Sequence, residues 1–159
     1  MRHSFKTGFS FGLTSGIITT LGLIVGLHSG TNSRTVIIGG ILTIAIADSF
    51  SDALGIHISE ESEGKHSTRE IWEATLSTLF FKFLFAMSFV LPIALLPIPS
   101  SIIVSIVWGL TLLSTFSYLV AKSGKLNPYR AVTEHLAVAA AVIFLTHIAG
   151  EWINRAFLQ

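Results

Sequence analysis

Apolar residues fall into five long blocks along the chain, each closed by a short polar break. The blocks run over roughly 7–28, 35–58, 69–96, 101–121 and 128–153, with "HSGTNSR", "SEESEGKHS", "LPIPSS" and "KSGKLNP" between them. A bilayer core about 30 Å thick takes about 20 mainly apolar residues per helix, so each block predicts one membrane-crossing helix. Gly, Ser, Asn and Pro in the breaks are the residues expected to interrupt helices. Gly64 is placed to end the second helix. Ser67, with Glu70 three residues on, predicts a capping box for the third. Pro128 suits the first turn of the fifth. The expected fold is an all-α polytopic membrane protein of five transmembrane helices, in one integral domain over residues 1–159.

Composition strengthens that picture. The chain is 51% hydrophobic and 12% charged, with a mean hydropathy of +0.72. A soluble domain carries about 25% charge, so half that value points to lipid as the solvent. A net charge of +1 gives no reason to expect a nucleic-acid partner, and the lack of cysteine excludes disulfides, thiolate metal sites and cysteine nucleophiles. The start, "MRHSFKTGFSFG", has the basic character of a signal peptide, but no small-residue cleavage site follows. The first block is therefore expected to be a retained helix. Placing the N-terminus inside puts Arg2, Lys6, Lys65, Arg69, Lys122, Lys125 and Arg130 on the inner side, and only Arg34 and Arg155 outside. This positive-inside bias predicts an N-inside, C-outside topology. Gly8, Gly12 and Gly16, then Gly22, Gly26 and Gly30, line the first block at four-residue spacings. Such residues allow close helix approach, either within one subunit or across a dimer seam.

Within this apolar frame the segment "ADSFSDALGIHIS" is anomalous, because it buries Asp48 and Asp52 one helical turn apart. Ionisable groups in a bilayer usually face a bundle interior or a water-filled path, and two neighbouring carboxylates repel unless a cation lies between them. A divalent metal, protons, or Lys82 as a built-in counter-ion would each resolve the repulsion. At a rise of 1.5 Å per residue, Asp52 shares a depth of about 10 Å with Ser15 and Glu134, and Asp48 one of about 15 Å with Thr19 and Lys82. Glu134 and His135 are accordingly candidates for a proton or ion path. The acidic stretch "HISEESEGKHSTREIWEA" offers His57, Glu60, Glu61, Glu63, His66, Glu70 and Glu73 at the inner mouth. Oxygen and imidazole donors suit first-row divalent ions such as Mn(II) and Fe(II), so the stretch reads either as a metal-collecting vestibule or as a solvated loop. His28, His147 and Glu151 gather near the outer end and could mark an exit. There is no glycine-rich phosphate loop or nucleophile elbow. The histidines of "HLAVAAAVIFLTH" lie too far apart for a zinc-protease pair. No enzymatic activity is expected.

"SGIITTLGLIVGL" (15–27) resembles the first-helix signature of the vacuolar iron transporter family, "SDALGIHIS" (51–59) its second-helix signature, and "NPYRAVTEHLAVAAAVIFLTHIAGEWI" its last helix. The resemblance implies a five-helix homodimer that moves Fe(II) or Mn(II) out of the cytosol, against protons, along a path at the subunit interface. The chain also departs from the pattern. The family's first-helix Asp falls on Ser15, its metal-contacting Met on Asp52 and its second-helix Glu on Ile56. The long cytoplasmic metal-binding helices shrink to about ten residues of loop. A carboxylate has in effect moved from the first helix to the second, and oxygen in place of a thioether favours harder cations.

The expectation is a homodimeric divalent-metal transporter in a cellular membrane, the cell membrane in a prokaryote. It has no tightly bound cofactor, and its partners are metal ions, protons and lipid. Asp48 and Asp52 bind the ion, Ser15 and Thr19 add oxygens, and His57, Glu60, Glu61, Glu70 and Glu73 collect metal. The rival is a non-transporting scaffold or partner subunit in which Lys82 neutralises the aspartates.

Overall fold

The computed structural model describes residues 3–157, in which six helices follow one another: α1 (His3–Thr31), α2 (Arg34–Ser62), α3 (Thr68–Ser88), α4 (Val90–Leu95), α5 (Ile98–Ser123) and α6 (Pro128–Phe157). Arg2 lies outside the described residues. The third predicted span is split. Pro92 has no N–H to give the carbonyl of Ser88, four residues back, and its ring crowds that carbonyl. The chain turns at Phe89 and resumes as α4. Taking α3 and α4 together, five helical segments are long and apolar enough to cross a membrane: Ser4–Thr31, Arg34–Ser62, Thr68–Leu95, Ile98–Ser123 and Pro128–Phe157. Four of them exceed the predicted block by a few residues, which is expected where helix ends run on into the headgroup layer, and the third is shifted by one residue.

The helix ends follow local chemistry. Ser33 caps α2 by accepting from the amide of Val36. Beyond Glu63, Gly64 takes a left-handed conformation at φ +63° that a side chain would strain. Ser67 and Glu70 form the full capping box at the start of α3. Pro128 opens α6, and the Asn127 side chain accepts from the amides of Tyr129 and Arg130.

α1 is the hub of the bundle and packs against α2, α3, α5 and α6. Its glycines explain how. A Cβ at Gly8 would run into Ser77 Oγ and the carbonyl of Ala74, and one at Gly12 would lie 2.6 Å from the Thr78 carbonyl. At Gly16 it would meet the Lys82 carbonyl at 3.0 Å. The first glycine run is thus the seat of α3. Farther along, a Cβ at Gly22 would lie 2.6 Å from Val142 Cγ1, and one at Gly150 would strike the Gly26 carbonyl, so the second run seats α6. Both runs serve close packing inside one subunit. Around them Leu13, Ile17, Leu21, Ile24, Ile37, Ile41, Phe89, Ile93, Ile102, Leu113 and Ala139 form the apolar core. Phe9 meets Phe81 and Phe116 edge-on, wedging α1, α3 and α5 together.

Lys6, Lys65, Arg69, Lys122, Lys125 and Arg130 collect at one end of the bundle, hereafter the basic end, and Arg34 and Arg155 at the other. Arg34 donates to the carbonyls of Ala94 and Leu96, tying α2 to the exit of α4. The outer face of α2 carries Ile46, Phe50, Leu54 and Ile58 at four-residue spacing, all exposed.

Candidate cation site

Three helices bring their polar groups to one point. Lys82 projects from α3 and is buried, its side chain only 2% exposed. Gly16 leaves the space its stem needs, since a Cβ there would lie 3.3 Å from Lys82 Cγ. The ammonium has three N–H donors and three oxygen partners. It donates to Ser15 Oγ at 3.0 Å, hydrogen-bonds Asp52 Oδ2, and lies 2.5 Å from Asp48 Oδ2. The Asp48 contact lacks hydrogen-bond alignment and is ionic. Ser15 in turn donates to Asp52 Oδ2 at 2.7 Å, closing a ring from α1 through α2 to α3.

Two carboxylates and one ammonium leave the cluster one negative charge in excess. At an effective dielectric constant near 20, charges about 4 Å apart interact by about 4 kcal/mol, so the excess charge attracts cations. The carboxylates are less enclosed than the lysine, with 28% of the Asp48 side chain and 21% of Asp52 exposed. Asp48 and Ser51 line a groove of about 530 Å³ on the α1–α2 seam, together with Leu23, Leu27, Gly40 and Thr43. Asp48 is therefore open from the flank of the bundle, whereas Lys82 is closed in from behind.

The depth argument correctly joined Ser15, Asp48, Asp52 and Lys82. Thr19, one turn from Ser15 on the same face of α1, donates its hydroxyl to the Ser15 carbonyl at 2.9 Å. Depth alone misplaced one residue. Glu134 is exposed and pairs with Arg130 at 2.8 Å on its own helix. Rise along a helix sets depth, but packing sets which way a residue faces. His135 bonds Ser117 at 2.7 Å beside a small cavity of about 60 Å³ that Ser10 and Thr14 also line.

At the basic end the candidate collectors are dispersed. His57 Nδ1 meets Thr75 Oγ1 at 2.9 Å, and its ring packs edge-on against Trp72. Glu60 is buried and lies 3.5 Å from His66 Nε2. Glu70 is engaged in the capping box, Glu73 pairs with Arg69 at 3.2 Å, and Glu61 is exposed. Among the described residues no three histidine or acidic side chains converge as a metal-holding group. At the far end His28, Ser29, His147 and Glu151 line a cavity of about 600 Å³. There Ser29 Oγ lies 2.6 Å from His147 Nδ1, and His147 Nε2 lies 3.4 Å from Glu151.

The sequence reading missed the role of Gly16 as clearance for the lysine. The signal was present, because Gly16 adjoins Ser15 on a helix of evenly spaced glycines. The flank groove had no sequence signal, since apolar residues from two helices form most of it.

Residues 9–71 match the family model described as the VIT family. The match spans most of α1, all of α2 and the first residues of α3, and so includes Ser15, Asp48 and Asp52 but not Lys82. No curated protein matches the chain, and no solved structure does.

Proposed function

Because residues 9–71 match the VIT family, whose members in general carry metal ions across membranes, we propose that this integral membrane protein is a member of the vacuolar iron transporter family and moves a divalent cation through the Asp48–Asp52 pair. One observation carries the reading. Two carboxylates project from successive turns of a membrane-spanning helix and are only half neutralised, and one of them, Asp48, opens onto a groove on the flank. A lipid-facing segment bears such a cost where a cation visits. The Ser15–Asp52 hydrogen bond supports the transfer of a carboxylate from the first helix to the second, since the two positions touch.

An all-oxygen site favours Mn(II) or Fe(II), and harder ions over softer ones. The positive-inside rule puts the basic end in the cytosol, so Glu60, Glu61, Glu70, Glu73 and His57 stand where metal is collected. Export exchanged for protons, through a homodimer whose α1–α2 flank faces its partner, completes the model. Uptake of Mn(II) by proteoliposomes, with and without a pH gradient, tests it. Wild-type protein accumulates the ion, and Asp52→Asn is expected to cut the rate about tenfold or more, the loss of a charge contact worth at least about 1.4 kcal/mol. Equal rates for the two proteins would overturn the proposal.

The saturated ammonium favours a second reading, a non-transporting partner subunit in which Lys82 closes the acid pair permanently. That reading predicts that Mn(II) and Fe(II) leave the thermal stability of wild type and Asp52→Asn unchanged, because only a ligand that binds the folded state raises it.

A further inference from the structure

The acid pair already holds a cation that the chain supplies. Lys82 is among the largest fully buried side chains of the described residues, and its stem is pinned against α1 at Gly16. The ammonium therefore faces the carboxylates at the closed back of the site, while the groove reaches Asp48 from the front. Two hydroxyls nearby in the chain are buried without a hydrogen-bond partner. Ser49 lies between the two aspartates in sequence, and Thr20 is one turn along α1 from Gly16. Unpaired buried hydroxyls are costly, and these two stand on the helices that carry Ser15 and the aspartates.

We propose that Lys82 is a tethered competitor for the cation site and that its single charge makes the site select by valence. This rests on Asp48 and Asp52 being the cation site. A tethered group acts at an effective concentration of about millimolar or above. A free monovalent ion entering the site gains no more Coulomb energy than the ammonium it displaces, and it must also shed water. A divalent ion gains about twice that attraction from each carboxylate. Lys82 thus excludes Na(I) and K(I) and sets the threshold that a divalent ion must exceed. Removing it should tighten divalent binding and admit monovalent ions. A guanidinium should do the opposite, because its rigid fork engages both carboxylates at once.

The test is calorimetric binding of Mn(II) to the purified full-length protein in detergent, with Na(I) as competitor. The proteins compared are wild type, Lys82→Met, Lys82→Arg and Asp52→Asn. Lys82→Met should bind Mn(II) about tenfold tighter than wild type, with Na(I) competing, whereas Na(I) leaves wild-type binding unchanged. Lys82→Arg should bind about tenfold more weakly. Binding by Lys82→Met alone, with wild type silent, would also support the competitor. Should Lys82→Met fail to fold, Lys82→Arg decides: weaker binding supports the proposal, and equal or tighter binding overturns it. Unchanged affinity in both lysine variants, with binding abolished in Asp52→Asn, would overturn the competitor and leave the cation site standing. Na(I) competing equally in wild type and Lys82→Met would overturn valence selection. Mn(II) binding to none of the four would overturn the site and the competitor together.

Discussion

The acids of the mid-span and the acids of the helix ends find their partners in different ways. Asp48 and Asp52 on α2 are met by Ser15 from α1 and Lys82 from α3. Glu70, Glu73, Glu134 and Glu151 are met by Ser67, Arg69, Arg130 and Arg155, each three or four residues away in sequence. At the ends, water and headgroups solvate whatever a local pair leaves over, so a neighbour on the same helix suffices. In the hydrocarbon layer nothing else supplies a partner, and the carboxylates draw their contacts from other helices. A polar group with cross-helix partners ties the bundle together. A local pair does not.

Breaking the cross-helix cluster should have the largest effect. Lys82→Ala in metal-free buffer leaves two carboxylates uncompensated and should destabilise the fold by about 3–5 kcal/mol. Adding Asp48→Asn and Asp52→Asn to that variant should recover most of the loss. Equilibrium unfolding in detergent measures both, and a loss that the asparagines do not relieve would assign the lysine a packing role. Next comes the seat that positions the lysine. Gly12→Val forces side-chain atoms onto the Thr78 backbone and should cost about 1–3 kcal/mol, read as a lower melting temperature. Smallest is a local pair. Arg130→Ala, which removes the exposed partner of Glu134, should change stability by less than about 0.5 kcal/mol in the same assay. A larger loss there would blur the distinction between the two kinds of acid.

The architecture was largely legible because bilayer thickness and capping chemistry act locally. Five apolar blocks, Ser67 with Glu70, Gly64 and Pro128 all marked helices or their ends where they occur. The break at Phe89 was missed, although Pro92 foreshadowed it, because apolar residues run through it without interruption. The site was half legible. Rise per residue placed Ser15, Asp48, Asp52 and Lys82 in shared layers, and contact followed. Glu134 lay in the same layer but faced elsewhere, which only the packing of the helices decides. Whether the glycine runs served one subunit or two was equally undetermined in sequence, because a small residue shows that something comes close without showing what.

Those glycine runs bear on what kinship can reveal here. The stretch "SGIITTLGLIVGL" contains Gly16, Gly22 and Gly26, which adjoin α3 and α6, so much of what makes it recognisable is clearance for neighbouring helices. Under the proposed function, a lineage could swap its cargo by altering position 15 or 52 while every one of those clearances stayed in place. The family resemblance is then recorded in the joinery of α1, and the proposed cation site in the few side chains between the joints.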